Sequence, residues 1–155
     1  MNDVDKLIAL EEIRQLKARY FRCIDTKDWD GYAAVFADDI HFDITSDVPG
    51  CILNSPGAIV ELTRQGLQGC VSVHHGHCPE ITFTSDSRAT GIWAMEDMLR
   101  WAPGSGAPIQ TLHGYGHYHE TYSRIDGRWN IQTLKLTRLR VDIGPWEAAS
   151  EPSAG

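Results

Sequence analysis

The segment that most constrains the fold is DKLIALEEIRQLKARYFRCID, residues 5–25, which predicts one long amphipathic helix. Its apolar residues recur at helical spacing and form one stripe, whereas most of its charged residues point elsewhere. The stripe consists of Ile13, Leu16, Tyr20, Cys23 and Ile24. Asp25 ends the helix directly after this stripe. A carboxylate in this position either meets water at the helix end or faces a cavity and takes part in chemistry.

The chain after this helix predicts two shorter helices and then a strand-rich half. We expect the helices over 28–37 and 56–66, with a short strand over 40–44 between them. Four long strands are then expected over 70–84, 89–101, 109–125 and 128–143. Because the helices precede a run of consecutive strands, the order predicts an α+β domain with antiparallel pairing.

Length, charge and cysteine spacing narrow the possible functions. The 155 residues suit one domain, expected over 1–143 and followed by a flexible tail over 144–155. A formal charge of −7 without a basic cluster argues against nucleic acid or an anionic membrane surface as partner. The N-terminus has no signal-peptide pattern, and the four cysteines have no CxxC spacing. We therefore expect a cytoplasmic protein with free thiols.

Three motifs resemble the SnoaL-like branch of the NTF2-like superfamily. They are ARYFRCIDTKDWDGYAAVFADDIHFD, then HHGH, then GHYHETYSRIDGRWNIQTLKL. The resemblance covers roughly residues 5–140. It implies a cone in which three N-terminal helices pack in a strongly curved, mostly antiparallel sheet. Within that branch, the scytalone dehydratases and the cofactor-free dehydrochlorinases look closest.

The same resemblance implies a pair of catalytic residues. Both of those enzyme groups use an Asp at the end of the first helix and a His on the first long strand, which match Asp25 and His74. Asp25 would orient the imidazole ring of His74 and stabilise its positive charge, and His74 would move the proton. An imidazole titrates near neutral pH and therefore suits general acid–base work. Such chemistry requires neither a metal nor an organic cofactor.

The chain departs from the scytalone dehydratases at the residues that polarise their substrate. Ile24 and Ile44 stand where those enzymes have tyrosines, and Leu99 stands where they have a second histidine. Gly116 and Tyr118 replace a serine and an asparagine. The proton-transfer pair is thus kept while its surroundings are replaced, which predicts a substrate other than scytalone.

Strand alternation and the resemblance together predict the lining of a substrate pocket. Gly114 and Gly116 are expected to leave room for a large aromatic substrate, and Glu120 to pair with a cation near the open end of the sheet. The predicted substrate-contacting residues are Tyr20, Ile24, Phe42, Trp93, Met95, Asp97, Tyr118 and Arg138. A structural role in the core or at the sheet surface is the alternative for each of them.

The remaining histidines offer a rival hypothesis of a metal site. His75 and His77 share one strand face and, with Glu80, His117 and His119, resemble the HxH…E…H site of cupins. Cupins are all-β, however, and the glycine spacing of their motif is absent here. We therefore expect no metal, and place these histidines and His113 on the outer face of the sheet. The resemblance to NTF2-like proteins implies a homodimer or homotrimer that forms through that face.

The sequence therefore predicts a cofactor-independent lyase. It would be a dehydratase or a related elimination catalyst that acts on an aromatic or polycyclic small molecule. Three alternatives stay open. They are a carbon–carbon lyase that releases a small aldehyde, an isomerase or cyclase of the ketosteroid isomerase or polyketide cyclase type, and a non-catalytic ligand-binding module.

Overall fold

A computed structural model describes residues 1–146. Its elements are α1 (Asp3–Thr26), α2 (Trp29–Ala33), β1 (Phe36–Asp43), β2 (Ile52–Leu53), α3 (Pro56–Gly66), β3 (Cys70–Ser85), β4 (Arg88–Trp101), β5 (Thr111–Ile125) and β6 (Arg128–Gly144). The predicted α+β class is confirmed. The tail predicted over 144–155 lies outside the described residues from position 147 onward.

The strands form one curved, six-stranded sheet in the order β2-β1-β6-β5-β4-β3. The four long strands pair antiparallel with their sequence neighbours, as expected for hairpins. β1 instead runs parallel to β6, which makes the sheet mixed. We call the face that packs on α1 the inner face and the opposite one the outer face.

Helix α1 has the ends and the buried stripe that its sequence predicts. Asn2 and Asp5 form a capping box at its start, which satisfies backbone N–H groups that the first turn leaves unpaired. Every member of the predicted stripe is buried. The helix ends at Thr26, and the left-handed backbone of the capping residue Lys27 (φ 62°) lets its N–H bond the carbonyls of Cys23 and Ile24.

The predictions for α2 and β1 were wrong in their boundaries. Helix α2 ends at Ala33 instead of residue 37, and β1 begins at Phe36 instead of residue 40. The reason is tertiary pairing, because the carbonyl of Val35 accepts the N–H of Ile131 on β6 at 2.9 Å. The two-residue strand β2 was not predicted. Helix α3 follows its prediction, with Ser55 as N-cap.

The outer face carries the histidines that the sequence placed there. His75, His77 and His119 are exposed, and His113 and His117 are half-buried. Exposed apolar side chains such as Val71 also lie on β3. The homo-oligomer predicted through this face stays a prediction. Within residues 1–146, no helix is both long and apolar enough to cross a bilayer.

Candidate active site

A cavity of about 290 Å³ lies between the helices and the inner face of the sheet. Its volume is near the lower end of the range for small-molecule sites, and its walls are mostly apolar or aromatic. The predicted residues that line it are Tyr20, Ile24, Phe42, His74, Asp97, Tyr118 and Arg138. Helix α1, strands β1 and β3 to β6, and the loop after β1 thus converge on one space.

The structure brings Asp25 and His74 into direct contact. Asp25 Oδ1 lies 2.6 Å from His74 Nδ1, and Asp25 Oδ2 accepts the backbone N–H of His74 at 2.8 Å. The ring is only 8% exposed. With Nδ1 bound to the carboxylate, Nε2 is the ring nitrogen left for the cavity, and it makes no hydrogen bond within residues 1–146.

Two residues that the sequence analysis missed hold the carboxylate in place. Ser72 Oγ donates to Asp25 Oδ1 at 3.0 Å, and Lys27 Nζ donates to Ser72 Oγ at 2.6 Å. Strand alternation could have identified Ser72, since it lies two residues before His74 and shares its inner face. Asp25 itself is not among the cavity-lining residues and sits behind the His74 ring.

These contacts determine the charge state of the carboxylate. Partial burial acts to raise the pKa of Asp25, but hydrogen bonds from the ring and backbone of His74 and from Ser72 outweigh it. The pKa of Asp25 therefore lies below its ordinary value of 3.8. An ionised Asp25 favours a proton on the Nδ1 atom that faces it, which leaves Nε2 of a neutral ring free to accept one.

We expect Asp25→Asn to make the free energy of unfolding less sensitive to acid. Because the folded-state pKa of Asp25 is lowered, its ionised form stabilises the fold above pH 3.8. That contribution is lost as the pH falls from this value through the lower folded-state pKa. Urea denaturation at stepped pH should show the wild type losing stability faster than the variant in this window. Parallel curves of unfolding free energy against pH for the wild type and Asp25→Asn would contradict this expectation. The control is Asp126→Asn in the exposed β5–β6 turn, which should lose stability as the wild type does.

A second charged group lies on the same inner face of the sheet, where Asp97 of β4 is the direct cross-strand partner of His74. Arg138 donates to both oxygens of Asp97 at 2.8 Å and to both oxygens of Asp47 at 2.7 and 2.8 Å. It also contacts Met95 Sδ at 3.5 Å, so all five of its N–H groups are engaged. Burial alone would lower the pKa of Arg138, but the two carboxylates raise it. Arg138 therefore presents a fixed charge to the cavity and no free donor.

Gly114 makes room for this ion pair, which corrects the prediction that it enlarges the substrate cavity. A Cβ atom at Gly114 would collide with Asp97 Oδ1 and Arg138 Nη1. Gly116 does not enlarge the cavity either, because a Cβ atom there would collide with the backbone carbonyl of Thr137. Both glycines permit close approach of neighbouring groups instead of leaving empty space.

Replacing Gly114 with Ala is expected to destabilise the fold by about 1–3 kcal/mol, because the new methyl group overpacks the Arg138–Asp97 pair. Chemical denaturation monitored by circular dichroism measures this loss. Gly57→Ala is the matched control, because nothing lies within 4 Å of the added atom on α3. Equal stability of the two variants would contradict the packing role of Gly114.

A buried polar chain lies next to the cavity and includes two residues that were predicted otherwise, Glu120 and Trp93. Lys17 pairs with Glu120, Tyr122 donates to Glu120, and Trp93 Nε1 donates to Tyr122 at 2.7 Å. Glu120 thus pairs with a cation in the interior and not near the open end of the sheet. Trp93 and Met95 are buried in the core outside the cavity lining, which corrects their predicted place in the pocket wall.

The tyrosines of the cavity keep their hydroxyl protons. Burial, together with the charge of Asp97, raises the pKa of Tyr118 well above its usual range. Burial and the neighbouring Tyr118 do the same for the pKa of Tyr20. Protonated hydroxyls can donate hydrogen bonds to an oxygen of a substrate. Tyr32 and Asp47 also line the cavity and were not predicted, since nothing in their local sequence marks them.

Solved structures share this fold over nearly the whole chain. A proposed scytalone dehydratase from Novosphingobium aromaticivorans has a TM-score of 0.79 at 19% identity, with 97% of this chain and 100% of that chain covered. A type 2 hexachlorocyclohexane dehydrochlorinase, LinA, has a TM-score of 0.79 at 18% identity, with 99% and 100% covered. Rv3472 from Mycobacterium tuberculosis, a protein of unknown function, has a TM-score of 0.75 at 26% identity, with 90% and 78% covered.

The sequence also matches a family model. The model describes a SnoaL-like domain and matches residues 5–135, which is most of the chain. The resemblance inferred from the three sequence motifs is thereby confirmed. The chain belongs to the SnoaL-like domain family and has the NTF2-like fold.

Proposed function

We propose that this protein is a cofactor-independent lyase that uses His74 as its proton-transfer group and Asp25 as the residue that orients it. The observation that carries the proposal is the 2.6 Å contact between Asp25 Oδ1 and His74 Nδ1 at the wall of the cavity. That contact leaves His74 Nε2 for the substrate. A histidine so held meets the geometric requirement for a general base.

The proposed reaction is an elimination. His74 Nε2 takes a proton from a C–H bond of the substrate, and the electrons of that bond form the new double bond. The neighbouring bond to the leaving group breaks, and the leaving group departs with its electron pair. Asp25 stabilises the imidazolium that forms. If the leaving group is a hydroxyl, His74 returns the proton to it, so that water is lost and the neutral ring is restored.

The charges of the cavity disfavour an anionic substrate. Arg138 pairs with two carboxylates, Asp47 and Asp97, so this group of three carries a formal net charge of −1. An anionic substrate would therefore meet no free cationic donor there. Aromatic walls and the hydroxyls of Tyr20 and Tyr118 suit a hydroxylated ring system instead. The proposed substrate class is thus a neutral, hydroxylated aromatic or polycyclic molecule.

The relatives support elimination as the reaction class. Two of the solved structures of similar fold carry the names of a dehydratase and a dehydrochlorinase. These names describe catalysts that remove a small molecule across a carbon–carbon bond. Asp25 and His74 are also the positions that match the catalytic Asp and His of these two enzyme groups.

Product mass after incubation with candidate substrates tests the proposal. The panel contains scytalone, hexachlorocyclohexane and neutral hydroxylated polycyclic aromatics. Loss of water or of hydrogen halide supports a lyase. Loss of an aldehyde indicates carbon–carbon cleavage, conserved mass indicates an isomerase, and binding without turnover indicates a ligand-binding module.

Asp25→Asn should lower turnover of any such substrate by about 10²-fold or more, because a neutral amide cannot stabilise the imidazolium. Steady-state kinetics on the panel compound that the product-mass experiment identifies as a substrate measure this loss. Asp126→Asn is the matched control, since Asp126 lies in the exposed β5–β6 turn at φ 48°, which Asn tolerates. Full activity of Asp25→Asn would refute the role given to Asp25.

A further inference from the structure

The outer face of the sheet holds a compact group of histidines around one carboxylate, on the side of β3 opposite to the His74 ring. We call this group, His75, His77, Glu96 and His113, the outer-face cluster. His75 Nδ1 and His77 Nε2 lie 3.5 and 3.7 Å from Glu96 Oε1. His113 Nε2 lies 3.3 Å from the other oxygen, Glu96 Oε2. None of these residues belongs to the lining of the cavity.

Strand geometry places these side chains together. His75 and His77 project from the same face because they are two residues apart on β3. Glu96 on β4 pairs directly with His75 and lies diagonal to His77. The donor atoms of these three residues all lie within 4.8 Å of one another.

We propose that His75, His77 and Glu96 bind a divalent transition-metal cation, with Zn²⁺ as the best-suited ion. Imidazole nitrogen and carboxylate oxygen are both ordinary zinc ligands, and three protein ligands leave one position for water. Zinc–ligand distances of about 2.0–2.2 Å require the donor atoms to draw closer together. The two rings are 49% and 55% exposed, so small rotations can achieve this.

His113 and Tyr115 form a supporting shell around this site. Tyr115 stacks on the His113 ring at 4.4 Å, and its hydroxyl lies 3.2 Å from His113 Nδ1. A proton donated by Tyr115 to Nδ1 leaves His113 Nε2 as the donor to Glu96 Oε2. Glu96 Oε1 is then directed toward His75 and His77. Hydrogen-bonding partners of this kind orient the metal ligands and raise the affinity of the site for the cation.

The cluster differs from the cupin-like set considered from the sequence. A bulge between His77 and Glu80, with Cys78 at φ 37°, shifts Glu80 along the strand to pair with Ile92. His119 bonds Thr137 Oγ1 at 3.1 Å and has no carboxylate partner within residues 1–146. The carboxylate of the site is therefore Glu96, which the sequence pattern did not single out.

Titration calorimetry of the tag-free full chain with zinc chloride tests this proposal without any substrate. The wild type should bind one Zn²⁺ per chain. His75→Gln, His77→Gln and Glu96→Gln should each raise Kd by at least about tenfold. His119→Gln, an exposed histidine of the same face outside the cluster, should leave Kd unchanged. Thermal unfolding should shift upward with zinc in the wild type and the control but not in the three ligand variants.

The proposal is overturned if the three ligand variants bind zinc as tightly as the wild type, or if His119→Gln weakens binding equally. A stoichiometry of one Zn²⁺ per two chains also overturns it, since the cation would then be held between copies. Circular dichroism confirms that each variant is folded before titration. Failure here leaves the proposed lyase function untouched, because His74 and its partners are not involved.

Discussion

Replacing His74 with Ala is expected to lower kcat/KM by about 10²–10⁴-fold while the fold stays intact. The loss follows because Nε2 is the base proposed to face the substrate. The fold should persist because the backbone N–H of residue 74 still donates to Asp25 Oδ2 and Ser72 still donates to Oδ1. Steady-state kinetics on the substrate found by product mass measure the loss, and circular dichroism checks the fold.

Free imidazole added to the His74→Ala variant is expected to restore part of its lost turnover. The methyl group of Ala leaves a ring-sized space beside Asp25, and free imidazole can enter it and restore part of the turnover. His119→Ala on the outer face is the matched control and should retain wild-type kinetics. An active, well-folded His74→Ala variant would contradict the proposed mechanism.

Replacing Lys17 with Met is expected to lower the free energy of unfolding by about 3–5 kcal/mol. Lys17 and Glu120 are both 0% exposed, so the change would leave a buried carboxylate without its cation. Lys17 Nζ also lies 3.8 Å from the ring centres of Tyr20 and Tyr118, and these cation–π contacts would be lost as well. Urea denaturation measures the change, and the displaced tyrosine rings should also distort the cavity.

The double variant Lys17→Met/Glu120→Met separates the cost of an unpaired charge from the cost of lost packing. Because removing both members of a buried ion pair is often nearly neutral, the double variant should recover part of the stability lost in Lys17→Met. A double variant that loses the full sum of the two single losses would contradict this. Lys6→Met, an exposed lysine of the same helix, should change stability little.

The parts of the molecule that follow a local period could be predicted from the sequence. Helical spacing identified the buried stripe of α1, and alternation along β3 separated His74 from His75. The contact between Asp25 and His74 needed the family resemblance as well, since 49 residues separate the two positions. The structure adds Ser72 and Lys27, which hold the carboxylate of this pair.

The parts that depend on partners far apart in sequence could not be predicted. Lys17 is a charged residue in a helix and gives no local sign that it pairs with Glu120, 103 residues away. The space beside Gly114 is filled by Arg138, whose carboxylate partners come from a loop and from β4. Periodicity indicates which face a side chain occupies, but long-range packing decides which group it meets there.

Nitrogen-15 NMR of the His74 ring tests the central claim most directly, because it needs no substrate. His74→Gln identifies the signal by its loss. At a pH where the ring is neutral, the proposal predicts a proton on Nδ1, next to Asp25, and an unprotonated Nε2 that faces the cavity. Asp25→Asn should disturb this preference. A neutral ring with its proton on Nε2 in the wild type would contradict His74 as the base.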